Sequence, residues 1–188
     1  MLKPLATVAL VCVATASSAD DFLPLMESFY ESEVSALAAD PMILSAIVEA
    51  NAHSAGYDQA TIDGLDTAWR AEVGGSDTPT ISPILDNAAS AHLRDLVAAA
   101  GGTITEIIVM DSHGLNAAVS DVTSDMWQGD EEKYSETYAV GPDAVHYSEV
   151  EFDESTQTYQ GQISLTIVDP ATGAPVGALT VGVNVDAL

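Results

Sequence analysis

YQGQISLTIVDPATGAPVGALTVGVNV, residues 159–185, reads as two long strands joined by a tight turn. Tyr159, Gly161, Ile163, Leu165 and Ile167 alternate with Gln160, Gln162, Ser164 and Thr166. A period of two marks a strand buried on one side. Asp169-Pro170-Ala171-Thr172-Gly173 carries turn chemistry. Leu179, Val181, Val183 and Val185 then resume the alternation. Upstream, Val145, Tyr147, Val150 and Phe152 predict another strand, turning at Asp153–Gln157. Ile104–Met110 is nearly all apolar, as a central strand would be. Asp111-Ser112-His113-Gly114 turns it into a return strand over Leu115–Ser120. A polar stretch separates these strands from the later ones, with a short helix expected at Asp130–Thr137. Five antiparallel strands are thus expected in the second half.

The first half has helical spacing. Leu25, Phe29, Val34 and Leu37 predict a helix within Asp20–Ala39. Asp40-Pro41 is an N-cap followed by proline at the first helical position, with Met42, Ile43, Ile47 and Val48 following and a stop near Gly56. A third helix is expected from Asp58 through Ile62, Leu65, Trp69 and Val73 to Gly74-Gly75. A fourth opens at Ser82-Pro83, runs through Ile84, Leu85, Leu93, Leu96 and Val97, and closes at Gly101-Gly102. Helices first and a meander afterwards make an α+β domain. A helical segment (20–102) and a sheet with pocket loops (103–188) form one structural domain. A chain of this length can bury roughly 70% of its unfolded surface.

Residues 1–19 read as a secretory signal peptide. Lys3 is the charged start, Leu5–Ala14 an apolar run, and Ser17-Ser18-Ala19 a small-residue cleavage site. No later segment reaches the ~18 apolar residues of a membrane span. A periplasmic or secreted protein is expected, with no membrane insertion after cleavage. The only cysteine, Cys12, falls in this leader, and Val11 before it is not the small residue a lipoprotein signal wants.

The chain has 29 Asp and Glu against 4 Lys and Arg, a net charge of −25. Nucleic acid and anionic lipid need basic side chains to neutralise phosphate, so neither is expected as a partner. The acids either attract a cation or keep the protein dissolved in a salty medium. His53, His92, His113 and His146 lack zinc spacing. No nucleophile elbow, P-loop or dinucleotide fingerprint is present, so neither catalysis nor a cofactor is expected. Asp121, Thr123, Asp125 and Glu132 fall at positions 1, 3, 5 and 12 of a calcium loop, but Met126 stands where that loop needs glycine.

The ordered pieces IIVMDSHGLNAAVS, SDMWQGDEEKY, VEFDESTQTYQGQISLTIVD and GAPVGALTVGVNVDAL, between Ile107 and Leu188, resemble the Cache family of extracytoplasmic, PAS-like sensor domains. DPMILSAIVEAN and TIDGLDTAWRAEV resemble the lead-in of small stand-alone periplasmic members. The resemblance implies N-terminal helices packed on a five-stranded antiparallel sheet, with a small ligand on the outer sheet face beneath loops and a short helix. Most members lie between two membrane helices and signal through them; here the last strand reaches Val185 and the sequence ends at Leu188, so signalling in trans through a membrane sensor protein, or simple ligand capture, is expected instead.

Amino-acid-binding members carry Tyr-x4-Arg-x-Trp-Tyr-x-Asp around the ligand. Trp127 and Asp130 keep that spacing here, while Ser120 stands at the first Tyr, Asp125 at the Arg and Gln128 at the second Tyr. Without the Arg there is no bidentate fork for a carboxylate. Trp127, Asp130 and Asp125 would instead suit an amine or other organic cation. Tyr134 and Tyr147 are candidate pocket walls and Lys133 a candidate ligand contact; Tyr159 is a third candidate wall. Ordinary packing for Trp127 and the tyrosines, and helix capping for Asp130, are the structural alternatives. A structural module responsive to divalent cations, without an organic ligand, is the alternative function.

Overall fold

The computed structural model describes residues 22–154 and 157–188; the leader expected at 1–19 lies outside the described residues. The first helix, α1 (Leu23–Phe29), passes through a π-helical turn (Tyr30–Val34) into α2 (Ser35–Leu37). Then α3 (Pro41–Ser54) starts where the sequence placed it, because the Asp40 carboxylate accepts from the Met42 and Ile43 amides. Asp58 likewise accepts from Thr61 to start α4 (Gln59–Glu72). The expected fourth helix is broken into α5 (Ser82–Leu85) and α6 (Ala88–Ala99). Asn87 makes the break, since its side-chain oxygen caps Ser90 while its amide donates to Ala117 O on the sheet.

The strands are β1 (Ile104–Met110), β2 (Asn116–Val119), β3 (Val145–Tyr147), β4 (Glu151–Asp153), β5 (Thr158–Val168) and β6 (Pro175–Asn184), with α7 (Glu132–Ser135) between β2 and β3. The sheet is antiparallel in the order β2-β1-β6-β5-β3, and β4 also pairs with β5. Six strands replace the expected five because the segment 145–153 leaves β5 between its two short pairings. At that gap the Ser148 hydroxyl accepts from the Gln162 amide.

The inner sheet face holds the main core. Ile107, Val109, Ile163, Leu165, Leu179, Val181 and Val183 pack against Met26, Val34, Ile43 and Ile47 from the helices before the sheet and Leu93 of α6. Gly177 lets α3 approach closely, since a Cβ there would overlap the Met110 carbonyl and press on Ile47 at 3.0 Å. A second cluster gathers Trp69, Ile62, Ile81, Leu115 and Met126 beside β2. The outer face carries Ser164, Thr166 and Thr180, all of them buried. Residues 121–144 fold back against the sheet as a roof, with α7, Tyr134 and Tyr138 over the outer face and residues 126–128 along the β1–β2 hairpin. Among the described residues, no helix is long and apolar enough to cross a membrane.

Candidate functional site

Register defines the outer face row by row. His146, Ser164, Thr180, Ile108 and Val119 lie side by side across the sheet, with Gln162, Gly182 and Glu106 in the next row. Ser164 and Thr180 share a hydrogen bond of 2.9 Å. Tyr134 and Tyr138 stack at 5.1 Å and close over Ile108, Met110, Val119 and Ala178. The Tyr134 hydroxyl donates to Ser112 O at 2.7 Å. Burial, with Tyr138 and the Asp111 carboxylate adding to it, pushes its ionisation well above the ordinary phenol range. Two buried polar atoms have no hydrogen-bond partner in this region, His146 Nε2 and Thr166 Oγ1. Glu132, the first residue of α7, brings its carboxylate to 3.6 Å from His146 Nε2.

The roof is fastened to the β1–β2 hairpin. Asn116 N donates to Met126 O and Gln128 N to Gly114 O, with a bridge between Leu115 and Trp127. Gly114 sits at φ +80, and a Cβ there would meet Gly129 at 2.7 Å, so the hairpin turn and the roof touch backbone to backbone. The hairpin turn is itself held by Asp111. Its Oδ1 accepts from His113 N and Leu115 N, and its Oδ2 accepts from Ser54 Oγ at 2.7 Å. Ser54, Asp111 and His113 thus meet, which the scattered sequence positions did not reveal. The Ser54 hydroxyl is 2% exposed, donates to the Asp111 carboxylate and lies 3.2 Å from His113 Nδ1.

The sequence-predicted residues separate into three groups. Trp127, Asp125, Lys133 and Tyr134 are bound into the roof. Trp127 Nε1 donates to His113 O at 2.8 Å. Asp125 accepts from Gln128 Nε2 at 2.6 Å and faces Arg70 at 3.4 Å. Gln128 is buried, and its Oε1 accepts from Lys133 Nζ at 3.2 Å; the same Nζ pairs with Glu131. Asp130 is exposed, and the cap position of α7 falls on Glu131 rather than on it. Tyr147 lies on the inner face, paired with Ile163 and edge-on to Tyr30 at 6.3 Å, away from the roof. Tyr159 packs between Phe22 and Phe152.

The calcium-loop residues do not converge: Asp121 is exposed and accepts from Val122 N, and Thr123 donates to Asp125 O at 2.6 Å. Among the described residues, no three His, Cys, Asp or Glu side chains gather to hold a metal ion.

Beside the roof, the outer face opens into a groove of about 830 Å³. Gln162 and Gly182 lie in its floor, and Gln162 Nε2 donates to Glu106 at 3.0 Å. Gly182 makes room for that side chain, since a Cβ there would meet Glu106 Cγ at 2.6 Å. Carboxylates of Glu106, Glu132, Glu149, Glu151, Asp153 and Glu154 line the groove, with no Lys or Arg among the lining residues. Sequence reasoning missed this constellation because its acids come from β1, α7 and the β3–β4 segment, three distant stretches.

No protein-family model and no curated protein matches this chain. Its neighbours among solved structures are extracellular sensor domains of histidine kinases and chemoreceptors. It is similar to the sensor domain of the V. cholerae histidine kinase DctB, with 9% identity, coverage of 90% of this chain and 57% of that one, and a TM-score of 0.42. For a domain of a putative sensory box/GGDEF protein from Vibrio parahaemolyticus the figures are 11%, 89%, 56% and 0.45. For the ligand-binding domain of Campylobacter jejuni chemoreceptor Tlp3, solved with 4-methylisoleucine, they are 14%, 86%, 62% and 0.39. The chain spans less than two thirds of the length of each of these.

Proposed function

We propose that this chain is an exported Cache-type sensor domain that binds a small organic cation on the outer face of its sheet and acts in trans on a membrane sensor protein. The observation that carries the reading is the groove of about 830 Å³ lined by six carboxylates and no basic side chain. Opposite charge favours a cation and repels a carboxylate ligand. The sequence points the same way, because Asp125 stands where the family's carboxylate clamp has an arginine. In this reading Glu106, Glu132 and Gln162 contact the ligand. Asp125, Trp127, Lys133 and Tyr134 hold the roof that carries Glu132. Ligand bound between the sheet and α7 favours one arrangement of the roof, and a partner reads that surface.

The test is thermal melting of the protein against 1,4-diaminobutane and quaternary ammonium compounds, with amino acids, dicarboxylates and Ca²⁺ or Mg²⁺ with and without chelator as the other arms. An amine at ~100 times its Kd adds about 2.7 kcal/mol of stability. Glu106→Gln and Glu132→Gln are expected to remove that gain without lowering the melting point of the free protein. A response confined to carboxylates, or to divalent ions and reversed by chelator, would refute the reading.

A further inference from the structure

We propose that a second groove, between α3, α4 and β2, binds an apolar molecule carrying a protonated amine. This groove has a volume of about 920 Å³ and shares no lining residue with the acidic groove. That volume is in the usual range for small-molecule sites. Its walls are mainly apolar: Ala46 and Ala50 of α3, Leu65 of α4, Ile84 of α5, and Leu115 and Met126 beside them.

Asn116 supplies the polar end. It lines the groove, is 2% exposed, and its Oδ1 has no hydrogen-bond partner in the protein. Its amide cannot usefully turn over. Nδ2 donates to Thr123 Oγ1 at 2.8 Å and to Asp125 O at 2.9 Å, and a carbonyl can only accept. The orphaned oxygen therefore calls for a donor. Charge selects among donors. Glu49 also lines the groove, no Lys or Arg does, and the whole chain carries −25. An ammonium is favoured there and a carboxylate disfavoured.

Calorimetry with the n-alkylamines from butyl to octyl tests the proposal, with n-octanoate and n-octanol as controls. Saturable binding is expected to tighten about fourfold per methylene until the groove is filled. Octanoate is expected to bind at least tenfold more weakly than octylamine. Ala50→Phe fills the groove, and is expected to lower octylamine affinity at least tenfold while leaving 1,4-diaminobutane binding unchanged. Glu106→Gln is expected to do the reverse. Glu49→Gln is expected to narrow the preference for octylamine over octanol, and Asn116→Ala to weaken both; if the latter does not fold, Ala50→Phe decides. Affinity flat with chain length, equal binding of octanoate, or an Ala50→Phe protein that binds octylamine like the parent overturns the proposal.

Discussion

Replacing Asp111 by alanine is expected to loosen the hairpin that carries the roof. Asp111 is 1% exposed, and its carboxylate accepts three hydrogen bonds, from His113 N at 2.8 Å, Leu115 N at 3.0 Å and Ser54 Oγ at 2.7 Å. A hydrogen bond to a charged group contributes about 1.5–3 kcal/mol, so the three together amount to at least about 4.5 kcal/mol. Removing the carboxylate also removes its own burial cost, which lowers the net loss to about 3–4 kcal/mol. For a domain of this size that is a fall of roughly 6–16 °C in melting temperature. Asp111→Asn keeps an oxygen for the two amides, and its NH₂ can donate to Ser54; the expected loss is only about 1 kcal/mol. Urea denaturation followed by circular dichroism measures both. The Trp127 environment, read by fluorescence, is expected to change in the alanine variant, because the indole donates to His113 O on the same turn. An alanine variant as stable as the asparagine one would refute the account of this turn.

Acid is expected to destabilise the protein partly through its helix caps. Burial opposes ionisation of Asp40, but the His92 hydrogen bond and the Ile43 and Met42 amides outweigh it and hold the carboxyl below its usual 3.8. Burial likewise opposes Glu72, which Thr80 and Ile81 nevertheless hold below 4.5. A depressed carboxyl stabilises the fold fully above its unfolded value, and that stability is lost as pH falls through the folded value. The window is therefore below pH 4.5. Asp40→Asn, still a good cap, is expected to flatten the pH dependence of urea midpoints there; an unchanged slope contradicts the assignment. Two glycines should respond with opposite signs. Gly64 in α4 has open space around its Cβ position, so Gly64→Ala is expected to add about 1 kcal/mol, whereas Gly177→Ala, against Met110 O and Ile47, is expected to cost about 1–3 kcal/mol by overpacking. Equal shifts in thermal melts would contradict the packing described at these positions.

Local signals carried most of the fold. Asp40-Pro41 and Asp58 start helices because each cap is built from neighbours in sequence. The alternation in β5 and β6 located the strands, since the inner face repeats every two residues. The break at Asn87 was not legible. Ile84, Leu85, Leu93 and Leu96 keep an apolar pattern across it, and the deciding contact is with Ala117 O, 30 residues away. Alternation alone put Ser164 and Thr166 on the polar side of β5, and only the resemblance implied that loops and a short helix cover that side; the residues that bury them come from elsewhere in the chain. Of the residues singled out in the sequence, Asp125, Trp127, Lys133 and Tyr134 lie in the roof, whereas the acids of the groove, drawn from distant stretches, carried no local signal. Tyr147 could not be assigned a face from sequence, because β3 is only three residues long and shows too little of the alternation to tell the two sides apart.

The edges of the sheet bear on how the protein meets other chains. The outer side of β2 is taken up by residues 126–128, through Asn116 N to Met126 O and Gln128 N to Gly114 O. At the other side, β5 is flanked by two strands of three residues each, with Glu149 between them and Glu151 and Glu154 close by. A long, flat, uncharged edge is a template on which another strand can grow. Here one margin is occupied, and the other is short, interrupted and negatively charged. Strand-by-strand polymerisation into aggregates is thereby discouraged, and a receptor would have to recognise this protein through its side chains rather than by extending its sheet.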